Sequence, residues 1–166
     1  MNNNALIPQL FRAEYSKIVA VICKTFGLSN IQLAEDIVSK TFLKATETWG
    51  LKGIPENPKA WLYTVAKNIA KDHFKREKIF QQKIVPALKT EKTDTKSIEI
   101  DLTDHNIKDS QLQMLFTVCD PMISKEAQLC FALRVLCGFG IQEIATALLT
   151  SKSTINKRLV RTKETF

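Results

Sequence analysis

Apolar residues recur along this chain at steps of three and four, the spacing that gathers them on one face of an α-helix. Leu6, Leu10, Tyr15, Ile18, Val19, Ile22 and Phe26 form the first stripe, and Gly27 supplies its stop. A second stripe runs through Leu33, Ala34, Ile37, Val38, Thr41, Phe42 and Ala45 and is expected to end near Trp49-Gly50. Turn formers fill residues 51–58, and a third helix is expected from about Lys59 to Phe80. Its inward residues are Trp61, Leu62, Val65, Ala66, Ile69, Ala70, His73 and Phe74. The pattern then fails: residues 90–97 have no apolar face and read as a mobile tether, after which Glu99, Asp101, Asp104 and Asp109 gather. Order returns with a short helix opened by Asp109 or Ser110, carrying Leu112, Leu115, Phe116 and Val118 and broken by Pro121. Ser124 is a good N-cap for the next helix, whose apolar positions are Ala127, Phe131, Val135 and Leu136. Gly138 and Gly140 mark a reversal, and two further helices are expected over residues 141–149 and from Ser153 onward. The expectation is an all-α protein of two small helical domains, 5–80 and 109–166, joined by a flexible linker over 81–108.

Composition narrows the class. The 166 residues suffice for one medium domain or two small ones, and the net charge of +7 points to an anionic partner, nucleic acid or acidic lipid. No apolar run approaches the roughly 18–20 residues that cross a bilayer, and the first residues lack the charged and apolar regions of a signal peptide. No membrane association and a cytoplasmic location are therefore expected. Cys23, Cys119, Cys130 and Cys137 lack metal-ligand spacing and each lies in an apolar run, so they read as reduced core thiols. Neither His73 nor His105 completes a zinc pattern, so no metal and no cofactor are expected. There is no glycine-rich phosphate loop, paired carboxylate site or Cys/His dyad, which argues against an enzyme.

Two features carry candidate chemistry. The run Ile141-Gln142-Glu143-Ile144-Ala145, then Leu148-Leu149, a three-residue turn and Ser153 to Leu159 has helix-turn-helix spacing. Ile144, Ala145, Leu148, Ile155 and Leu159 would face inward, leaving Lys152, Thr154, Asn156, Lys157, Arg158, Val160, Arg161 and Lys163 on outer or flanking surfaces. Such a helix can enter a major groove, where Asn reads adenine, Lys or Arg reads guanine and other cations meet phosphates. A plain helical hairpin shares the spacing; the cations beyond the turn favour DNA. In the third helix, Lys59, Tyr63, Lys67, Lys71, Lys75 and Lys78 line one face, with Thr64, Asn68, Asp72 and Arg76 on the adjacent row. That row suits a phosphate backbone, and it also suits a solvated lysine face. A simple helix-turn-helix repressor or activator would leave this second basic helix without a role.

Three segments resemble a known family. Leu33 to Ala45 is similar to the segment with which extracytoplasmic-function (ECF) sigma factors grip the clamp helices of the RNA polymerase β′ subunit. Asn57-Pro58-Lys59-Ala60-Trp61-Leu62 and the helix after it resemble the segment that melts and reads the −10 promoter element, and the helix-turn-helix resembles the reader of the −35 element. The resemblance implies a region 2 bundle of three to four helices and a region 4 helix-turn-helix, and a sigma factor that binds core polymerase and directs initiation without chemistry of its own. It implies polymerase binding by Asp36, Val38, Thr41 and Phe42, and −10 DNA binding by Asn57, Trp61, Lys67, Asn68, Lys71, Asp72 and Arg76. The −35 set is Lys152, Thr154, Asn156, Lys157, Arg158, Val160 and Arg161, with Asn156, Lys157 and Val160 at base edges and the two arginines on phosphates. Implied partners are core polymerase (β′ clamp helices and β subunit) and promoter DNA. An anti-sigma factor, or the long helical C-terminal extension of a narrower ECF group that this chain also resembles, is the implied regulator. The sequence stops at Phe166, at the end of the recognition helix, and Ser39-Lys40 replaces the usual Gln-Glu of the clamp-binding segment.

Overall fold

The computed structural model describes residues 3–84 and 99–166, so the polar stretch 90–97 of the expected tether lies outside the described residues. Its elements are α1 (Asn3–Phe26), a 3₁₀ turn (Leu28–Asn30), α2 (Ile31–Lys52), α3 (Pro58–Ile84), α4 (Asp104–Val118), α5 (Lys125–Phe131) running into a π-helical segment (Ala132–Leu136), α6 (Ile141–Ala147) and α7 (Lys152–Thr165). No strand occurs among the described residues.

Helix ends follow local chemistry. Gly27 takes φ +92°, which glycine adopts without a Cβ clash, and its N–H donates to the Cys23 carbonyl at 2.8 Å. Helix α2 runs through Gly50 and ends two residues beyond it, at Lys52. The reason is that Gly53 takes the positive φ (+84°) and closes on the Trp49 carbonyl. Asn57 caps α3 through its Oδ1, which accepts from the Ala60 N–H at 3.0 Å, and Pro58 fills the first helical position, where no N–H is needed. Helix α3 continues past the expected fraying point to Ile84.

Helices α1, α2 and α3 pack around Ile18, Val19, Ile22, Ile37, Val38, Trp49 and Leu62, all essentially without solvent exposure. Helix α4 lies along α1 and begins at Asp104, five residues before the expected start. Its inward face is Ile107, Ser110, Met114 and Val118; Leu112, Leu115 and Phe116, expected in its core stripe, are exposed. Part of the expected linker is thus ordered, and Ile100 and Leu102 are buried ahead of α4. Helices α5, α6 and α7 form a second unit around Cys130, Phe131, Val135, Ile144, Ile155 and Leu159. Its π-helical segment also touches α1 and α4, so the buried residues of both units join in one apolar cluster. The thiol expectation holds for Cys23 and Cys130, which are buried, but Cys119 and Cys137 are exposed at the ends of α4 and the π-helical segment. Burial, with the Glu35 carboxylate nearby, pushes the Cys23 thiol up to about 12.

Candidate nucleic-acid interface

The helix-turn-helix forms as its spacing predicts. Ile144 and Ala145 of α6 are buried, the small Ala145 lying where the chain turns back and its carbonyl accepting from the Thr150 N–H at 2.9 Å. Leu149 takes a left-handed φ of +49° to make that turn. Ser151 caps α7, its Oγ accepting from the Thr154 N–H at 3.2 Å. Ile155, Leu159 and Thr162 hold α7 onto the unit. Lys152, Asn156, Lys157, Val160 and Arg161 stand on the exposed side, while Thr154 and Arg158 are half-buried. The Arg158 guanidinium lies 3.9 Å from the Cys130 sulfur, and Arg161 forms no ion pair among the described residues. In the first turn of α6, Glu143 reaches back to accept from the Gly140 N–H at 2.7 Å. That bond, and then the Arg12 guanidinium, hold its carboxyl below the ordinary carboxylate range.

The basic row of α3 is less uniform than its spacing. Asn68, Lys71, Asp72, Lys75 and Arg76 are exposed, and Lys59 and Lys67 are partly covered. Tyr63, expected between them on the open face, is buried, and its hydroxyl donates to the buried carboxylate of Glu14 on α1. Burial and that bond raise the phenol above its ordinary value. The reason is geometric: the Lys59–Tyr63–Lys67 row leans toward α1 and the start of α4, where Lys59 meets Asp104 at 3.3 Å. Trp61 is partly buried and packs edge-on against Trp49 with ring centroids 5.3 Å apart, an anchor that fixes the loop between α2 and α3. Asn57 is exposed but spends its carbonyl oxygen on the helix cap.

On α2, the four residues that resemble clamp contacts divide between surface and core. Asp36 is exposed; Val38, Thr41 and Phe42 are buried, and Thr41 donates to the Ile37 carbonyl at 2.8 Å. The stretch's open face carries Asp36, Lys40 and Leu43, the last 59% exposed and missed by the sequence reading. An apolar residue three places from Lys40 on the solvent row was the available signal. Glu35 was also missed. Its carboxylate is nearly covered and collects partners from α1, the π-helical segment and α7, a convergence with no local signature.

Residues 10–79 match the family described as Sigma-70 region 2, and residues 122–166 match Sigma-70, region 4. The chain is 30% identical over 140 residues to an uncharacterized protein of Rhizobium meliloti, covering 81% of this chain and 32% of that protein. It is 29% identical over 139 residues to the ECF RNA polymerase sigma factor BldN of Streptomyces coelicolor, covering 78% of this chain and 48% of that one. The chain spans about a third to a half of the length of these relatives. The two matched regions lie in this order on one chain, with α3 in the first and the helix-turn-helix in the second; the chain belongs to the sigma-70 family, as a sigma factor of the ECF type.

Proposed function

We propose that the chain binds core RNA polymerase and directs initiation at promoters with −10 and −35 elements. The observation that carries this reading is the presence of two separate cation-bearing helices, α3 and α7, each inside its own matched region. The domains of this reading are 5–80 for polymerase and −10 contacts, 81–108 as the connection and 109–166 for the −35 element. Exposed Asn68, Lys71, Asp72 and Arg76 line the path of the displaced strand, with Lys67 and Trp61 at its edge. Asn156, Lys157 and Val160 address base edges, while Lys152, Thr154, Arg158 and Arg161 position the duplex through its phosphates.

Polymerase contact falls to the open face of α2, Asp36 with Lys40 and Leu43, laid out by the buried Val38, Thr41 and Phe42. The β′ clamp helices are the partner for that face. The exposed Leu115, Phe116 and Met122 suit an apolar contact on the β subunit. The chain acts by binding alone, in the cytoplasm, with an anti-sigma factor or a C-terminal helical segment as candidate regulators. No helix among the described residues is long and apolar enough to cross a membrane. Transcription reconstituted with core polymerase and a promoter library tests the reading. Discrete starts that depend on the chain and share two upstream elements support it; a palindromic footprint formed without polymerase contradicts it.

A further inference from the structure

Helix α4 has two opposite faces. Ile107, Ser110, Met114 and Val118 turn inward, and the row directly across the helix, Lys108, Leu112, Leu115, Phe116 and Cys119, is exposed. Leu112, Leu115 and Phe116 are 52%, 41% and 70% exposed, and a shallow depression lined by Asp109, Leu112, Gln113, Phe116 and Thr117 lies beside them. Leu43, Leu51, Leu149 and Val160 are also exposed, but they stand singly on other parts of the surface, while α4 gathers its three within little more than one turn. Scattered apolar residues need no partner; a contiguous apolar patch marks a contact surface.

The charges at the two ends of the patch decide what it fits. Lys108 forms no ion pair among the described residues. Asp120, just past the end of α4, accepts from the Met122 N–H on Oδ1 at 2.8 Å, with no bond to Oδ2 among the described residues. Asp109 is occupied by His105 of its own helix at 3.3 Å. Lys108 and Asp120 stand at equal distances in sequence on either side of position 114, and so do Leu112 and Phe116. Two antiparallel copies of α4, related by a two-fold axis at that position, therefore set Lys108 against Asp120 of the other copy twice, and Leu112 against Phe116 twice. Asp109 falls opposite Cys119, and no two like charges meet in this register. A parallel pairing would oppose Lys108 to Lys108 and Asp120 to Asp120. The face is complementary to itself in one orientation.

We propose that the outward face of α4 is a self-association surface whose occupant in the free protein is a second copy of this chain, held as an antiparallel, isologous dimer. The depression beside Leu112 gives the other copy's Phe116 a seat. Two helices about 22 Å long, meeting on so few large side chains, bury less than the roughly 800 Å² per partner of a stable complex. The dimer is accordingly weak, with a dissociation constant between about 1 μM and 1 mM. Leu115 and Phe116 also belong to the contact proposed above for the β subunit, and one face cannot serve both at once. The dimer rests on the face alone, whether or not that reading holds.

Sedimentation equilibrium of the full chain from about 1 μM to 1 mM, in reductant, reads the dimer directly. The expected result is a monomer–dimer equilibrium that weakens as salt rises. Lys108→Asp and Asp120→Lys each place like charges across the axis twice and should weaken the dimer about tenfold or more. The two together reverse the pair and should return the affinity toward its original value. Phe116→Asp should leave a monomer at every concentration with an unchanged urea midpoint, because the side chain it replaces is exposed. Lys44→Asp, exposed on α2, makes the same charge change off the face and should leave association as it was. A monomer over the whole range, an undiminished dimer with Phe116→Asp, or a double variant as weak as either single one would overturn the proposal. So would a loss from Lys44→Asp equal to that from Lys108→Asp.

Discussion

Arg158 and Arg161 lie three residues apart on α7, and the structure predicts different consequences for their loss. Three cations assigned to phosphates, Lys152, Arg158 and Arg161, stand on or beside the open side of the helix. If each neutralises one phosphate at about 0.9 of a counterion, log K for a −35 duplex falls against log salt with a slope of about −2.7. Replacing Arg161 by Ala removes one contact, giving about −1.8. Over a fourfold rise in salt the original chain therefore loses roughly 3.5-fold more affinity than the variant. Arg161 is exposed and makes no ion pair among the described residues, so the variant's urea midpoint should not move. Arg158 is half-buried, with its guanidinium beside the Cys130 sulfur. Arg158→Ala should flatten the slope similarly and also cost on the order of 1 kcal/mol of stability. The assay is anisotropy across a salt series, with urea unfolding of each variant. An unchanged slope for Arg161→Ala, or equal stability losses for the two variants, would refute the reasoning.

Other consequences follow from single positions. Leu149 holds φ +49° while 95% exposed, so Leu149→Gly should relieve strain of about 1–2 kcal/mol against an unfolded-state cost of about 0.4–1 kcal/mol. A rise in thermal midpoint checks it, and a fall contradicts it. Ellman's reagent should titrate Cys119 and Cys137 rapidly in the native chain and reach Cys23 and Cys130 only on unfolding; fast reaction of all four thiols would contradict the buried pair. The Glu143 carboxyl titrates below its unfolded value, so its stabilising effect is full above the ordinary carboxylate range and is lost as pH falls through the depressed folded value. Glu143→Gln should flatten the acid arm of stability against pH, and identical acid arms would show that the Gly140 and Arg12 contacts contribute nothing.

What the sequence made legible was local. The cap at Ser124, the Gly27 stop and the inward Ile144, Ala145, Ile155 and Leu159 are set by residues within a turn or two. Helix α4 was misread because its outward face is the more apolar one. Leu112, Leu115 and Phe116 mask an inward row that includes a serine, and Gln111 beside it donates to Ser16 of α1 at 3.2 Å. Ile107 belongs to that inward row but fell within the stretch read as linker. On α2, Val38, Thr41 and Phe42 belong both to the apolar stripe and to the set that the resemblance implies, and packing buries all three. Tyr63 was drawn onto a basic row by its spacing and out of it by Glu14, 49 residues away. The Glu35 cluster joins residues up to 128 apart, so neither periodicity nor motif spacing could reveal it.

The central claim is that one chain joins polymerase to a two-element promoter. The most direct measurement is a run-off transcription assay with purified core polymerase, with starts mapped on a promoter library and repeated with Asn156→Ala. The account predicts starts only when the chain is present, and a change of base preference at one or two positions of the upstream element for the variant. Starts independent of the chain, or a uniform loss across all promoters for Asn156→Ala, would contradict it.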